Sequence, residues 1–98
     1  MTVTLGLLAL LEAQPGKGEE LAQFLEAGRA LAVAEQGTVT WYAFKLGETT
    51  FGIFDTFESE SERQAHLEGE IPKALAAVAA GLLAAAPDIR LVELIAVK

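Results

Sequence analysis

Residues 50–67 read TFGIFDTFESESERQAHL, and this stretch joins an aromatic strand to a short acidic helix. The residues of segment 51–57 alternate between two faces, as they do in a β-strand. Ser59 followed by Glu62 is the capping-box pattern that starts a helix. That helix carries His66, the only histidine of the chain. Because an unperturbed imidazole titrates near neutral pH, acid–base chemistry at neutral pH is expected to pass through His66.

The flanking sequence predicts the order of the remaining elements. Apolar patterning and turn residues predict strands over 3–13, 39–46, 51–57 and 89–97, and helices over 19–35, 60–67 and 72–86. The order is strand, helix, strand, strand, helix, strand, with the short helix 60–67 as an addition before the second long helix. It predicts a single ferredoxin-like α+β domain over residues 1–98, in which helices cover one face of a four-stranded antiparallel sheet.

The first and last strands are apolar on both faces, and 52% of the 98 residues are hydrophobic. A sheet face that no helix covers must be covered by something else when its residues are apolar. A second copy packed about a two-fold axis is the economical solution. The sequence therefore predicts a homodimer through its sheet faces.

The composition also argues against several classes of protein. A net charge of −7 opposes binding to nucleic acid and to anionic membranes. The element order is shared with RNA-recognition motifs, and segment 51–53 faintly resembles their aromatic strand, but the leading basic residue is missing. With no cysteine and one histidine, neither a disulfide framework nor a metal site is expected. No segment has the pattern of a targeting signal or a membrane span, so a cytoplasmic location is expected.

Three segments resemble the antibiotic biosynthesis monooxygenase family, a family of dimeric α+β barrels. They are Pro-Gly-Lys-Gly-Glu-Glu at 15–20, Thr-Trp-Tyr-Ala-Phe at 40–44, and the stretch 51–66. The resemblance covers nearly the whole chain. Some members oxidise phenols, hydroquinones or anthrones with dioxygen and without a cofactor, and others degrade haem. The resemblance implies a cofactor-independent monooxygenase acting on a small phenol, a hydroquinone or a polycyclic anthrone.

Two departures from the family pattern bear on this expectation. Oxidising members often carry asparagine and tryptophan on the third strand, where this chain has Ile53 and Phe57. Haem-degrading members use an asparagine on the first strand, and this chain contains no asparagine. The second departure argues against haem degradation, and the first removes some of the usual polar partners of quinol oxidation.

The resemblance places a cleft between the helices and the face of the third strand that carries Asp55. A hairpin loop with an even number of residues would bring six residues to that cleft: Tyr42, Phe44, Ile53, Asp55, Phe57 and His66. It would place Trp41 and Phe54 between the two sheets of the dimer. In this cleft His66 is the expected base, Asp55 orients the imidazole or the substrate, and Tyr42 donates a hydrogen bond to the substrate oxygen. Phe44, Ile53 and Phe57 are the expected substrate-binding residues.

A different reading of the same residues stays open. The chain can be a non-catalytic dimeric barrel that binds an apolar small molecule and has a stress or regulatory role. In that reading His66 is a surface or capping residue, Asp55 accepts hydrogen bonds from its neighbours, and the aromatic residues belong to the core. The direction in which His66 points separates the two hypotheses.

Overall fold

A computed structural model describes residues 3–98. Its elements in chain order are β1 (Leu5–Glu12), α1 (Gly18–Ala34), β2 (Thr38–Lys45), β3 (Thr50–Phe57), α2 (Glu60–Leu67), α3 (Glu70–Leu82) and β4 (Asp88–Glu93). The four strands form one antiparallel sheet in the order β2-β3-β1-β4. The ferredoxin-like α+β fold predicted from the sequence is confirmed. Residues 1 and 2, which the predicted domain 1–98 includes, lie outside the described residues.

The helices begin and end where the local sequence favours it. Gly16, with φ of 80°, makes the turn before α1. The Ser59 side chain accepts a hydrogen bond from the backbone N–H of Glu62 at 3.3 Å, so the predicted N-cap of α2 is confirmed. Helix α3 ends at Leu82, four residues earlier than predicted, because Leu83 bridges to Ala13 at the end of β1. Pairing with the sheet thus competes successfully with the helical propensity of the following alanines.

One face of the sheet packs against α1 and α3. Leu11, Phe51 and Ile53 from the sheet form a buried cluster with helical side chains such as Leu21 and Leu75. The buried positions of α1 and α3 follow helical spacing, whereas β3 is buried at most positions of both faces. None of the helices in the described range 3–98 is long and apolar enough to cross a membrane.

The pairing of β2 with β3 differs from the prediction and reverses the faces of β2. Trp41 lies opposite Asp55, and Tyr42 lies opposite Phe54. A hydrogen bond from Leu46 N to Thr50 O closes the hairpin. Three residues lie between Leu46 and Thr50, so the loop has an odd number of residues, whereas the predicted faces require an even number. Because a shift of one residue moves every side chain of a strand to the other face, the predicted faces of Trp41, Tyr42 and Phe44 are wrong.

The second face of the sheet has an apolar centre and a margin that carries the charged residues Glu12, Asp88 and Arg90. It carries Leu8, Leu10, Tyr42, Phe44, Phe54 and Val92, and the Tyr42 side chain is 57% exposed. Two glycines let aromatic rings lie flat on this face: the Phe44 ring covers Gly52, and the Phe54 ring covers Gly6. Strand β4 ends at Glu93 rather than 97, and beyond it Ile95 is fully exposed. This second face, together with Ile95, is the apolar surface that the dimer prediction needs.

Candidate functional site

Asp55 and His66 meet beneath the helices. Asp55 points to the helix side of β3 and is 1% exposed, while His66 lies in the last turn of α2 and is 7% exposed. The imidazole Nε2 lies 3.0 Å from Asp55 Oδ2. The His66 ring also stacks at a tilt on Phe57, with ring centroids 5.3 Å apart. The direction of His66, which the sequence left open, is therefore inward.

A second carboxylate holds the other ring nitrogen. His66 Nδ1 lies 2.6 Å from Glu35 Oε1, and Glu35 is the residue that ends α1. The same oxygen accepts a hydrogen bond from the Thr38 hydroxyl at 2.6 Å. The imidazole is thus placed between two carboxylates that come from different elements of the fold, with one carboxylate on each nitrogen.

These surroundings determine the charge of the imidazole. Burial disfavours the charged form, but the hydrogen bonds and negative charges of Asp55 and Glu35 outweigh burial and raise the pKa of His66 from 6.5 to about 8. Both ring nitrogens donate hydrogen bonds only in the doubly protonated form. His66 is therefore an imidazolium at neutral pH.

A small apolar cavity adjoins the Asp55–His66 pair. This inner cavity has a volume of about 120 Å³ and is lined by Leu7, Ala9, Ile53, Asp55, His66, Leu67, Ile71, Pro72, Leu75 and Ile89. Asp55 and His66 are the titratable residues of its wall. Asp55 Oδ1 is buried and has no hydrogen-bond partner among the described residues. Since an unpaired buried acceptor is costly, this atom is a ready partner for a ligand hydroxyl.

On its other side His66 borders a more polar outer cleft. The outer cleft has a volume of about 200 Å³ and is lined by Glu35, Gly37, Thr38, Glu62, Ala65, His66, Gly69 and Glu70. His66 is thus the wall between an apolar inner cavity and an acidic outer cleft. Within residues 3–98 no group of three or more histidine or acidic side chains is arranged to hold a metal ion.

The structure brings together only part of the predicted site. Ile53, Asp55 and His66 line the inner cavity as expected. Phe57 is 0% exposed and packs under the imidazole, so it is a core residue rather than an exposed wall of the cleft.

Tyr42 and Phe44 do not reach the inner cavity, and their predicted place in the cleft with Asp55 is wrong. They lie on the second face of the sheet and border a groove of about 460 Å³ between α1 and β2. Trp41, expected between the sheets of a dimer, lies on the helix side instead and faces Gly28 of α1. The odd hairpin loop is the cause of both errors.

Sequence reasoning missed Glu35. It lies 31 positions before His66, so no local motif joins the two residues. One signal was present: α1 has no basic residue in its last turn and ends on an acidic one. A carboxylate at a helix C-terminus opposes the helix dipole, which indicates that some other group compensates it. In this fold the compensating group is the imidazolium of His66.

Comparison with known proteins agrees with this architecture. A Nitrosomonas europaea protein of unknown function, NE2512, is 51% identical, with a TM-score of 0.96 over 98% of this chain and 93% of that one. Two chains provisionally named antibiotic biosynthesis monooxygenases share the fold at low identity. The one from Caulobacter crescentus is 22% identical, with a TM-score of 0.78 over 98% of this chain and 92% of its own. The one from Nitrosomonas europaea is 12% identical, with a TM-score of 0.82 over 94% and 90%.

No protein-family profile and no curated protein matches the sequence. The fold nevertheless defines the class: this is a ferredoxin-like α+β domain that shares its fold with chains provisionally named antibiotic biosynthesis monooxygenases. At 51% identity over nearly the full length of both chains, it belongs to the same family as the NE2512 protein of Nitrosomonas europaea. The resemblance inferred from the sequence is confirmed at the level of the fold.

Proposed function

We propose that this protein is a cofactor-independent monooxygenase that oxidises a single-ring phenol or hydroquinone with dioxygen. One observation carries the proposal: the unpaired, buried Oδ1 of Asp55 belongs to a residue that lines an apolar cavity and is ion-paired to His66. An aromatic alcohol needs an apolar enclosure for its ring and one acceptor for its hydroxyl. The fold shared with chains named antibiotic biosynthesis monooxygenases supports the reaction class.

The volume of the inner cavity favours a single ring over a polycyclic anthrone. Its volume is about 120 Å³. A buried apolar cavity of roughly 150 Å³ is sufficient to hold benzene in another protein, whereas drug-sized ligands need about 300 Å³ or more. A phenol or hydroquinone therefore fits with a small outward movement of a wall residue such as Ile89, which is 48% exposed. A three-ring anthrone would require α3 to move away from the sheet.

In the proposed mechanism Asp55 is the base, and His66 holds it in place. Both nitrogens of His66 face carboxylates, so the imidazolium cannot accept a substrate proton. The substrate hydroxyl instead donates its proton to Asp55 Oδ1, and the imidazolium stabilises the negative charge that forms in the cavity. This assignment moves the base from His66, as expected from the sequence, to Asp55. Tyr42, on the second face of the sheet, has no part in it.

Dioxygen is the only oxidant that the proposed reaction needs. The phenolate transfers one electron to dioxygen, the resulting radicals form a C–O bond, and the peroxide collapses with cleavage of its O–O bond. The C–H bond at the attacked carbon breaks as one oxygen atom becomes a new carbonyl, and the other oxygen leaves as water with that proton and the proton returned by Asp55. A phenol plus dioxygen thus gives a quinone plus water, and a hydroquinone attacked beside its hydroxyl gives a hydroxyquinone plus water. The aromatic ring supplies all four electrons. The apolar wall of the inner cavity limits the access of solvent to the radical pair.

Oxygen uptake tests the proposal. The protein should consume oxygen with single-ring hydroquinones or phenols and should not do so with an anthrone. Asp55→Asn should lower the rate roughly 10²- to 10⁴-fold, the usual range for loss of a general base. Glu70→Gln is a matched control, because Glu70 is an exposed acid that forms no ion pair with His66, and it should keep the wild-type rate. No uptake above buffer with any substrate of the panel would reject the proposal.

We also propose that the protein is a homodimer that pairs the second face of the sheet with that of another copy. The apolar residues of this face, including the 57% exposed Tyr42, are the support. Tyr42→Glu should shift the species observed by light scattering from dimer toward monomer, because it places charge in the interface. Val33→Glu changes an apolar residue of α1 that is 67% exposed and should leave the dimer intact. A wild-type monomer at micromolar concentration would contradict the proposal.

One observation favours a non-catalytic alternative, in which the protein only binds an apolar small molecule. The carboxylates on both sides of His66 form a paired set that can serve structure alone. In this case phenol should perturb the NMR signals of Ile53 and Leu75 in the inner cavity, and no oxygen should be consumed. Oxygen uptake that Asp55→Asn abolishes would exclude this alternative.

A further inference from the structure

We propose that Glu35 is a positioning residue of the site: from outside the inner cavity it holds His66 as a doubly protonated cation, and His66 in turn presents Asp55 to the substrate. The inference rests on the proposed function for its catalytic meaning. Glu35 lines only the outer cleft and does not touch the inner cavity. It therefore acts through His66 and not on the substrate.

Glu35, His66 and Asp55 form one line of contacts from the solvent to the inner cavity. The Glu35 side chain is 21% exposed, that of His66 is 6% exposed, and that of Asp55 is 2% exposed. Glu35 Oε1 lies 2.6 Å from Nδ1, and Asp55 Oδ2 lies 3.0 Å from Nε2. The buried end of the line carries the unpaired Oδ1, and the outer end has contact with water.

The backbone and a neighbouring hydroxyl fix the Glu35 carboxylate in this place. Its backbone N–H donates to Ala32 O at 3.1 Å as α1 ends, and the Thr38 hydroxyl donates to Oε1 at 2.6 Å. Gly69, the residue before α3, leaves room for the second oxygen, because a Cβ at Gly69 would lie 3.0 Å from Glu35 Oε2. The Thr38 hydroxyl and the His66 imidazole thus hold the carboxylate directly, which suits a positioning role.

The consequence for chemistry follows from the tautomers of histidine. A neutral imidazole carries one proton, which can lie on Nδ1 and leave a bare Nε2 facing Asp55. In that arrangement the lone pair of Nε2 repels the lone pairs of Asp55 Oδ2, and the Asp55 carboxylate rotates away from the position in which it can accept the substrate proton. An imidazolium always donates from Nε2 to Asp55 Oδ2, so Oδ1 stays free for the substrate. Because Glu35 also requires a hydrogen-bond donor at Nδ1, both ring nitrogens carry a proton and neither neutral tautomer satisfies the site.

The other charged groups near His66 do not fill this role. Glu62 of α2 and Glu70 of α3 line the outer cleft but form no ion pair with His66. Arg63, on the same helix, donates to the backbone carbonyls of Gly6 and Val92, away from the imidazole. Asp55 and Glu35 are the two charged side chains that form ion pairs with the ring among residues 3–98.

The single histidine makes the test direct, because the protein has one imidazole NMR signal to titrate. The wild-type midpoint should lie at about 8, and in Glu35→Gln it should fall toward 6.5. Thr38→Val, which only loosens the carboxylate, should lower the midpoint by a smaller amount and serves as the second variant if Glu35→Gln does not fold. Glu70→Gln should titrate like the wild type. A Glu35→Gln variant that folds and keeps the wild-type midpoint would overturn the inference.

The pH profile of oxygen uptake supplies the catalytic readout. At pH 7.5 the imidazolium fraction would fall from about three quarters to about one tenth if the midpoint moved all the way from about 8 to 6.5, so kcat should drop by up to about eightfold in Glu35→Gln. At pH 5.5 the imidazole is at least about nine tenths protonated in both proteins, so their rates should nearly agree, with KM unchanged throughout. A loss of rate equal at both pH values would indicate a structural role and would overturn the inference. If the wild type consumes no oxygen, the proposed function fails, and the NMR titration alone decides whether Glu35 controls His66.

Discussion

The charge state of His66 should make the stability of the fold depend on pH in a defined window. The pKa of His66 is raised from 6.5 to about 8 in the folded protein, because the two carboxylates outweigh burial. A group whose pKa is raised on folding stabilises the protein fully below its unfolded pKa, and this stability is lost as pH rises through the folded value. The contribution should therefore be complete near pH 6 and absent by about pH 9.

The size of the effect follows from the change in pKa. A change from 6.5 to about 8 corresponds to about 2 kcal/mol of unfolding free energy, and little discount for solvent applies because the imidazole is 7% exposed. A loss of about 2 kcal/mol is a substantial part of the 5–15 kcal/mol that typically stabilises a folded protein. The change is therefore large enough to measure by denaturant titration.

Urea unfolding at pH 6, 7, 8 and 9, followed by the fluorescence of the single tryptophan, Trp41, gives the assay. All samples need the same protein concentration, because dimerisation would make the midpoint depend on concentration. His66→Gln removes the titrating group and should lack the loss between pH 6 and 9 that the wild type shows. Parallel pH profiles for the two proteins would refute the reasoning, since the carboxylates would then not stabilise the charged imidazole.

Two further predictions concern packing. Phe57→Ala should lower the unfolding free energy by roughly 3–5 kcal/mol, because it empties a fully buried position under the imidazole. Phe57→Leu should lower it clearly less. Similar losses for the two variants in urea unfolding would contradict this account, since the site would then collapse around the missing ring. Gly18→Ala should destabilise by roughly 1–3 kcal/mol, because its Cβ would lie 2.2 Å from the backbone oxygen of Glu48. Gly47→Ala, with open space around its Cβ, is the control, and equal thermal midpoints for both alanine variants would contradict this account.

The sequence determined the elements and their order because those signals are local. Alternation in β3, the Ser59 cap and the helical spacing of α1 each depend on residues within a few positions of one another. Local patterns also placed His66 on the helix after β3, whereas the family resemblance placed Asp55 on the helix side of that strand. Together they predicted two of the three charged groups of the site.

Tertiary structure alone decided the rest. The face of β2 depended on whether the hairpin loop is odd or even, and one residue of loop moved Tyr42 away from Asp55 and Trp41 toward the helices. The contact of Glu35 with His66 spans 31 positions and arises only when the end of α1 packs beside α2. Local sequence patterns carry no information about such contacts, because the free energy that forms them comes from packing between elements and not from the residues of one segment.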